Sequence, residues 1–100
     1  MIPTARDIAA RVVERVHKDG AFAAAALAAE LERYPELDVR ERGLATELSY
    51  GTLRSKAALS TRLARLTPRG LDDLDALVLA HLLVAAYQVL VLERVPSHAA

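Results

Sequence analysis

The sequence predicts an all-α domain, and three observations carry that prediction. Alanine and leucine, two strong helix formers, supply 20 and 17 of the 100 residues. Turn formers are scarce, with four Gly and four Pro, and aromatics are only 4%, which excludes an all-β sandwich or barrel. Apolar residues also recur at helical spacing in segments separated by clear breaks. With 53% hydrophobic residues the chain is too apolar to stay disordered, and its length allows one small domain rather than two cores.

The first helix is expected to open at Thr4, an N-cap just after Pro3, with Asp7 placed to favour the exposed first-turn amides. Ile8, Val12, Val13 and Val16, with Ala5 and Ala9, then fall on one arc, while Arg11, Arg15 and Lys18 share another within about 60°. Gly20 is the expected C-cap. The alanine-rich run of residues 21–34 predicts a narrow second helix, with Phe22, Ala26 and Leu27 leading inward to Leu31 and Tyr34 before Pro35 stops it. Its small side chains suit close helix packing.

Asp38 and Glu41 have the spacing of a capping box and open a third helix with Leu44, Ala45, Leu48 and Thr52 inward. Gly51 interrupts that pattern at a cost of about 1 kcal/mol relative to alanine. A close backbone, a bulky ring or a helix break would each explain it. Beyond it Leu59, Leu63 and Leu66 share an arc, and a continuous helix would put Arg54, Arg62 and Arg65 opposite them, within about 80°. Thr67, Pro68, Arg69 and Gly70 form a turn.

After Asp72, Asp73 and Asp75, residues 76–92 are apolar on every side. A transmembrane span and a buried central helix compete for this segment. His81, Gln88 and the charged residues at both ends favour the buried helix. Arg94, Val95 and Pro96 are expected to end it, and Ser97–Ala100 to begin another helix.

The formal net charge of zero conceals segregation. Residues 51–70 hold Arg54, Lys56, Arg62, Arg65 and Arg69 with no acid, whereas residues 19–50 hold seven acids and three arginines. Such blocks either neutralise one another across helix pairs or build a basic face for an anionic partner. Catalysis by this stretch is not expected. There is no Cys for a thiolate or a zinc site, and the four glycines are too scattered for a phosphate loop. His17, His81 and His98 are isolated, His81 reading as a core or interface side chain, so no metal is expected. Phe22, Tyr34, Tyr50 and Tyr87 are too dispersed for a base-stacking platform, and Tyr50 and Tyr87 read as core or subdomain-interface rings. Any RNA contact is therefore mainly electrostatic, through Arg11, Arg15 and Lys18 and through Arg54, Arg62 and Arg65. Arg54 has a packing alternative, bonding a carbonyl or carboxylate inside the bundle. The absence of Cys and of a secretion signal in MIPTARD points to the cytoplasm.

Several segments in order, TARDIAARVVERV, DGAFAAAAL, DVRERGLATELSYGTLR and LVLAHLLVAAYQVLVLERVPSHAA, resemble the NusB-like helical domain. The most specific pieces are Tyr50–Arg54, Tyr87-Gln88, Arg94-Val95-Pro96 and His98-Ala99-Ala100. The resemblance implies an all-α bundle of two small helical subdomains, the second truncated, with residues 1–100 forming a piece of a longer protein. That domain occurs as a free-standing transcription antitermination factor, which works with a ribosomal protein on nascent RNA. It also occurs as the N-terminal extension of small-subunit rRNA cytosine-C5 methyltransferases. Arg6 matches the Ala-Arg-acid core of the family's RNA-binding helix, here Ala5-Arg6-Asp7. Ile2, Pro3 and Thr4 stand where the antitermination factors carry consecutive arginines, and YGTLR with Gly20 and Phe22 looks more like the methyltransferase extension. The resemblance thus implies an RNA-positioning domain, partnered by rRNA and by a catalytic domain of the same protein. S-adenosylmethionine and the active-site cysteines belong to that later domain, and no cofactor or membrane contact is implied for this stretch. The opposing expectation is a purely structural domain, whose sign would be arginines locked in internal ion pairs.

Overall fold

A computed structural model describes residues 2–92. Five α-helices follow in order: α1 (Ala5–Asp19), α2 (Ala23–Arg33), α3 (Val39–Arg54), α4 (Lys56–Ala64) and α5 (Ala76–Tyr87), the last running on into a wider π-type turn over Gln88–Leu92. No strand occurs among the described residues, as the composition requires. The expected helix stop at Arg94–Pro96 and the new helix at Ser97–Ala100, with His98, lie outside the described residues.

The local chemistry of α1 is as expected from its sequence. Thr4 Oγ1 accepts from the Asp7 amide at 3.2 Å, and the Thr4 amide donates back to Asp7 Oδ2 at 3.0 Å. That second bond is the main reason the Asp7 carboxyl lies below its ordinary 3.8. Gly20 closes the helix at φ 69°, a left-handed conformation that suits glycine, and donates to the Val16 carbonyl at 3.2 Å.

α2 begins later than its alanine run. Phe22 is the N-cap residue, with extended backbone, so its ring falls outside the helical arc and is 84% exposed rather than leading the inward face. Ala26 and Leu27 are buried as expected. Asp38 caps α3 through the Glu41 amide at 2.8 Å, but the box is only half made. Glu41 Oε1 accepts instead from the Ala5 amide at 3.3 Å. Ala5 is buried at the first turn of α1, where its amide has no helical partner, so it needs that acceptor more than the exposed Asp38 amide does.

The helix carrying Gly51 ends three residues after it. Ser55 (φ −99°, ψ 5°) separates α3 from α4, so Arg54 does not share one continuous arc with Arg62 and Arg65. Leu59 is buried, whereas Leu66 lies beyond the last residue of α4 and is exposed. The Thr67–Gly70 turn forms, with Gly70 at φ 77°, and Asp75 caps α5 through the Leu77 amide at 2.8 Å.

The core is built around α1, which packs against α2, α3 and α5. Ile8, Ala9, Ala10, Val12 and Val13 are shielded almost completely. This corrects the expectation that residues 76–92 form the buried central helix. α5 is packed from one side among the described residues, burying Ala80, Leu83, Val84 and Tyr87 while Val78, Leu82 and Val89 stay exposed. His81 is likewise exposed, not a core side chain. No helix of the described residues is long and apolar enough to cross a membrane.

The structure also chooses among the three explanations of Gly51. The Tyr87 ring lies directly on it, and a Cβ at that position would overlap Tyr87 Cζ and its hydroxyl. The hydroxyl donates to Glu47 Oε2 at 2.6 Å. Burial pushes the phenol pKa above 10.0, Glu47 adds to this, and the neighbouring Arg54 opposes it. Tyr50, by contrast, is 38% exposed and is not a core ring.

Candidate nucleic-acid interface

The seven basic residues singled out in the sequence divide into five places. Lys18 is exposed on the outer side of α1, and half-buried Arg15 borders the buried arc at Ile8. Near them His17 Nδ1 lies 2.7 Å from Lys56 Nζ, which brings the start of α4 to the end of α1. Arg62, in the last turn of α4, and Arg65, its C-cap residue, line a shallow groove with Leu63, Leu66 and Leu90. Arg6 stands apart, on the α5 side of α1, where its Nε donates to Gln88 Oε1 at 2.7 Å. Arg54 is exposed beside the Tyr87 hydroxyl.

Arg11 has a different setting. Its Nη1 donates to the Tyr34 hydroxyl at 2.9 Å and lies 3.6 Å from Oε1 of Glu30, whose side chain is only 4% exposed. Arg33 approaches the other Glu30 oxygen at 3.7 Å. The hydrogen bond to Tyr34 holds the Arg11 guanidinium above its ordinary range, so it stays charged throughout the physiological span.

These are the ion pairs found among the described residues, and both meet at Glu30. Residues 1–18 thus pair with residues 19–50 through Arg11 and Glu30, whereas no ion pair to the basic block of residues 51–70 is found among the described residues. Arg33 carries no signal of its own in the sequence because it belongs to a net acidic block, and Tyr34 fits an inward face equally well. The i, i+3 spacing of Glu30 and Arg33 was the available signal.

Among the described residues no three His, Asp or Glu side chains gather where they could hold a metal. A groove of about 420 Å³ along α5 has an apolar floor of Val78, Leu82, Val84 and Ala85, with only Arg6 and His81 as polar neighbours. What is left is cationic surface on the outer arc of α1 and on α4, suited to phosphates.

Residues 3–100 match the NusB family. The ribosomal RNA small subunit methyltransferase B of Pseudomonas putida is 38% identical over 92 residues, which are 92% of this chain and 20% of that protein. The protein of the same name from Pseudomonas syringae pv. tomato is 42% identical over 65 residues, 65% of this chain and 14% of that protein. The chain thus spans a fifth or less of the length of these relatives. No solved structure gives a significant match.

Proposed function

The chain belongs to the NusB family, and from that premise we propose that it is the RNA-positioning, non-catalytic N-terminal domain of a small-subunit rRNA cytosine-C5 methyltransferase. Its partners in this reading are rRNA and a catalytic domain of the same protein, which holds S-adenosylmethionine, and its setting is the cytoplasm. One observation carries the RNA part: of Arg6, Arg11, Arg15, Lys18, Arg54, Arg62 and Arg65, only Arg11 is ion-paired among the described residues. Arg15, Lys18, Arg62 and Arg65 make no internal bond there and bear most of the reading, while Arg6, Arg11 and Arg54 each have a packing neighbour as well. Lys18, Arg62 and Arg65 are exposed and Arg15 half-buried, and cations without internal acids are available to exchange counterions for phosphates. An antitermination factor is not favoured, because the relatives matched are methyltransferases and Ile2, Pro3 and Thr4 replace the expected arginines.

Titrating isotope-labelled protein with a small-subunit rRNA fragment tests this reading. Amide signals of residues 15–18 and of α4 are expected to shift first. Shifts confined to the exposed apolar face of α5, from Val78 to Val89, would assign the contact to another surface and overturn the proposal.

A further inference from the structure

We propose that Arg11, Arg33 and Tyr34, set in place by the buried Glu30 carboxylate, form a preorganised grip for a phosphodiester of bound RNA. The grip rests on the RNA-binding reading above and adds a site to it.

Glu30 lies in the last turn of α2 with its carboxylate under the surface, where a charge needs compensation. The two arginines compensate it at 3.6 and 3.7 Å, distances that cancel charge but are too long for hydrogen bonds. Accordingly Glu30 Oε1 has no hydrogen-bond partner among the described residues. The carboxylate therefore holds both guanidinium groups without using up their donors. Each guanidinium has five N–H groups, and the bond recorded for this pair is the one from Arg11 to the Tyr34 hydroxyl.

The tyrosine restricts the arginines further. The guanidinium carbons of Arg11 and Arg33 lie 5.9 and 5.7 Å from the centre of the Tyr34 ring, within cation–π range. Both side chains remain open to solvent, at 39% and 64% exposure. Two cations over one buried anion leave a net positive centre, and Arg15 stands one helical turn along from Arg11. Arg42 joins them from α3, its Nη1 donating to the Leu31 carbonyl at 3.4 Å. Glu14, Glu32 and Glu36, close to this group in the chain, form no ion pair with it among the described residues.

An ordinary surface arginine loses rotamer freedom when it binds a phosphate, about 0.5–1.5 kcal/mol per side chain. Here the buried acid and the ring have already fixed the geometry, which a merely solvated face would not require. The phosphodiester is the occupant because the site adjoins the RNA-binding surface proposed above, and an acidic peptide is the rival outcome of the test.

Fluorescence anisotropy with a single-stranded small-subunit rRNA fragment, read at several salt concentrations, tests the grip. Arg33→Ala is expected to weaken binding by about threefold to tenfold and to flatten the logarithmic salt slope by about 0.7. Arg33→Lys should restore the slope but not the full affinity, because lysine lacks the planar fork. Arg69→Ala, in the exposed Thr67–Gly70 turn, should change neither. Unchanged binding by Arg33→Ala, or an equal loss in Arg69→Ala, overturns the grip while leaving the RNA reading intact. If Arg33→Ala does not fold, Arg33→Lys decides alone, and wild-type affinity in it overturns the grip. Competition by polyglutamate as strong as by RNA transfers the site to an acidic peptide. No binding by the wild-type protein at low salt removes the RNA reading itself.

Discussion

Replacing Tyr87 with alanine is expected to lower the stability of the domain by about 4 kcal/mol, the usual scale for deleting a buried aromatic side chain. The ring is 2% exposed and fills the space over Gly51 between α3 and α5. Nothing else is placed to fill it, because glycine opposite offers no side chain that could relax into the gap. Tyr87→Phe keeps the ring and loses only the bond to Glu47, so about 1 kcal/mol is expected there. Urea unfolding of the two variants separates packing from hydrogen bonding. A Tyr87→Ala midpoint close to that of Tyr87→Phe would contradict the assignment of the ring as the clasp between these helices.

Gly51→Ala is expected to destabilise by about 2 kcal/mol, against the trend of helix propensity. Alanine gains about 1 kcal/mol over glycine inside a helix. Overpacking a filled core costs about 3 kcal/mol at the upper end of its usual range, and here a Cβ overlaps a ring anchored at its hydroxyl. The net loss corresponds to roughly 10 °C in midpoint for a domain of this size. The same substitution made in Tyr87→Ala should reverse sign and stabilise, since the ring it collides with is gone. Additivity of the two substitutions would show that glycine and ring do not meet.

Much of this fold was legible in the sequence because its signals are local. Thr4 with Asp7, Gly20, Pro35 and Asp75 each act through their own turn, and each sets a helix boundary where the sequence placed it. What failed was what depends on neighbours. Phe22 was read as inward from its position in an alanine run, but helix periodicity carries no meaning before the first helical residue. Residues 76–92 are apolar all round, a pattern that does not say how many sides are covered. The small residues of α1 give no local signal of centrality, although Ala9 and Ala10 are fully buried in the helix that sits at the centre. Glu41 left its expected capping partner for an amide 36 positions away, a choice no local pattern encodes.

The basic surface shows the same division. Periodicity was enough to group Arg15 and Lys18 on one arc, because α1 is regular throughout. It could not show that Arg6 turns toward Gln88, that Arg54 adjoins Tyr87, or that Arg11 shares a buried acid with Arg33. Those pairings join residues from separate helices.

The most direct measurement is the salt dependence of rRNA-fragment binding by a variant with Arg15, Lys18, Arg62 and Arg65 all replaced by alanine, beside the wild-type protein. Loss of four phosphate contacts predicts a logarithmic slope shallower by about 3 and an affinity lower by roughly a hundredfold at moderate salt, with the fold retained. Identical slopes for the two proteins would mean that these cations do not meet the nucleic acid.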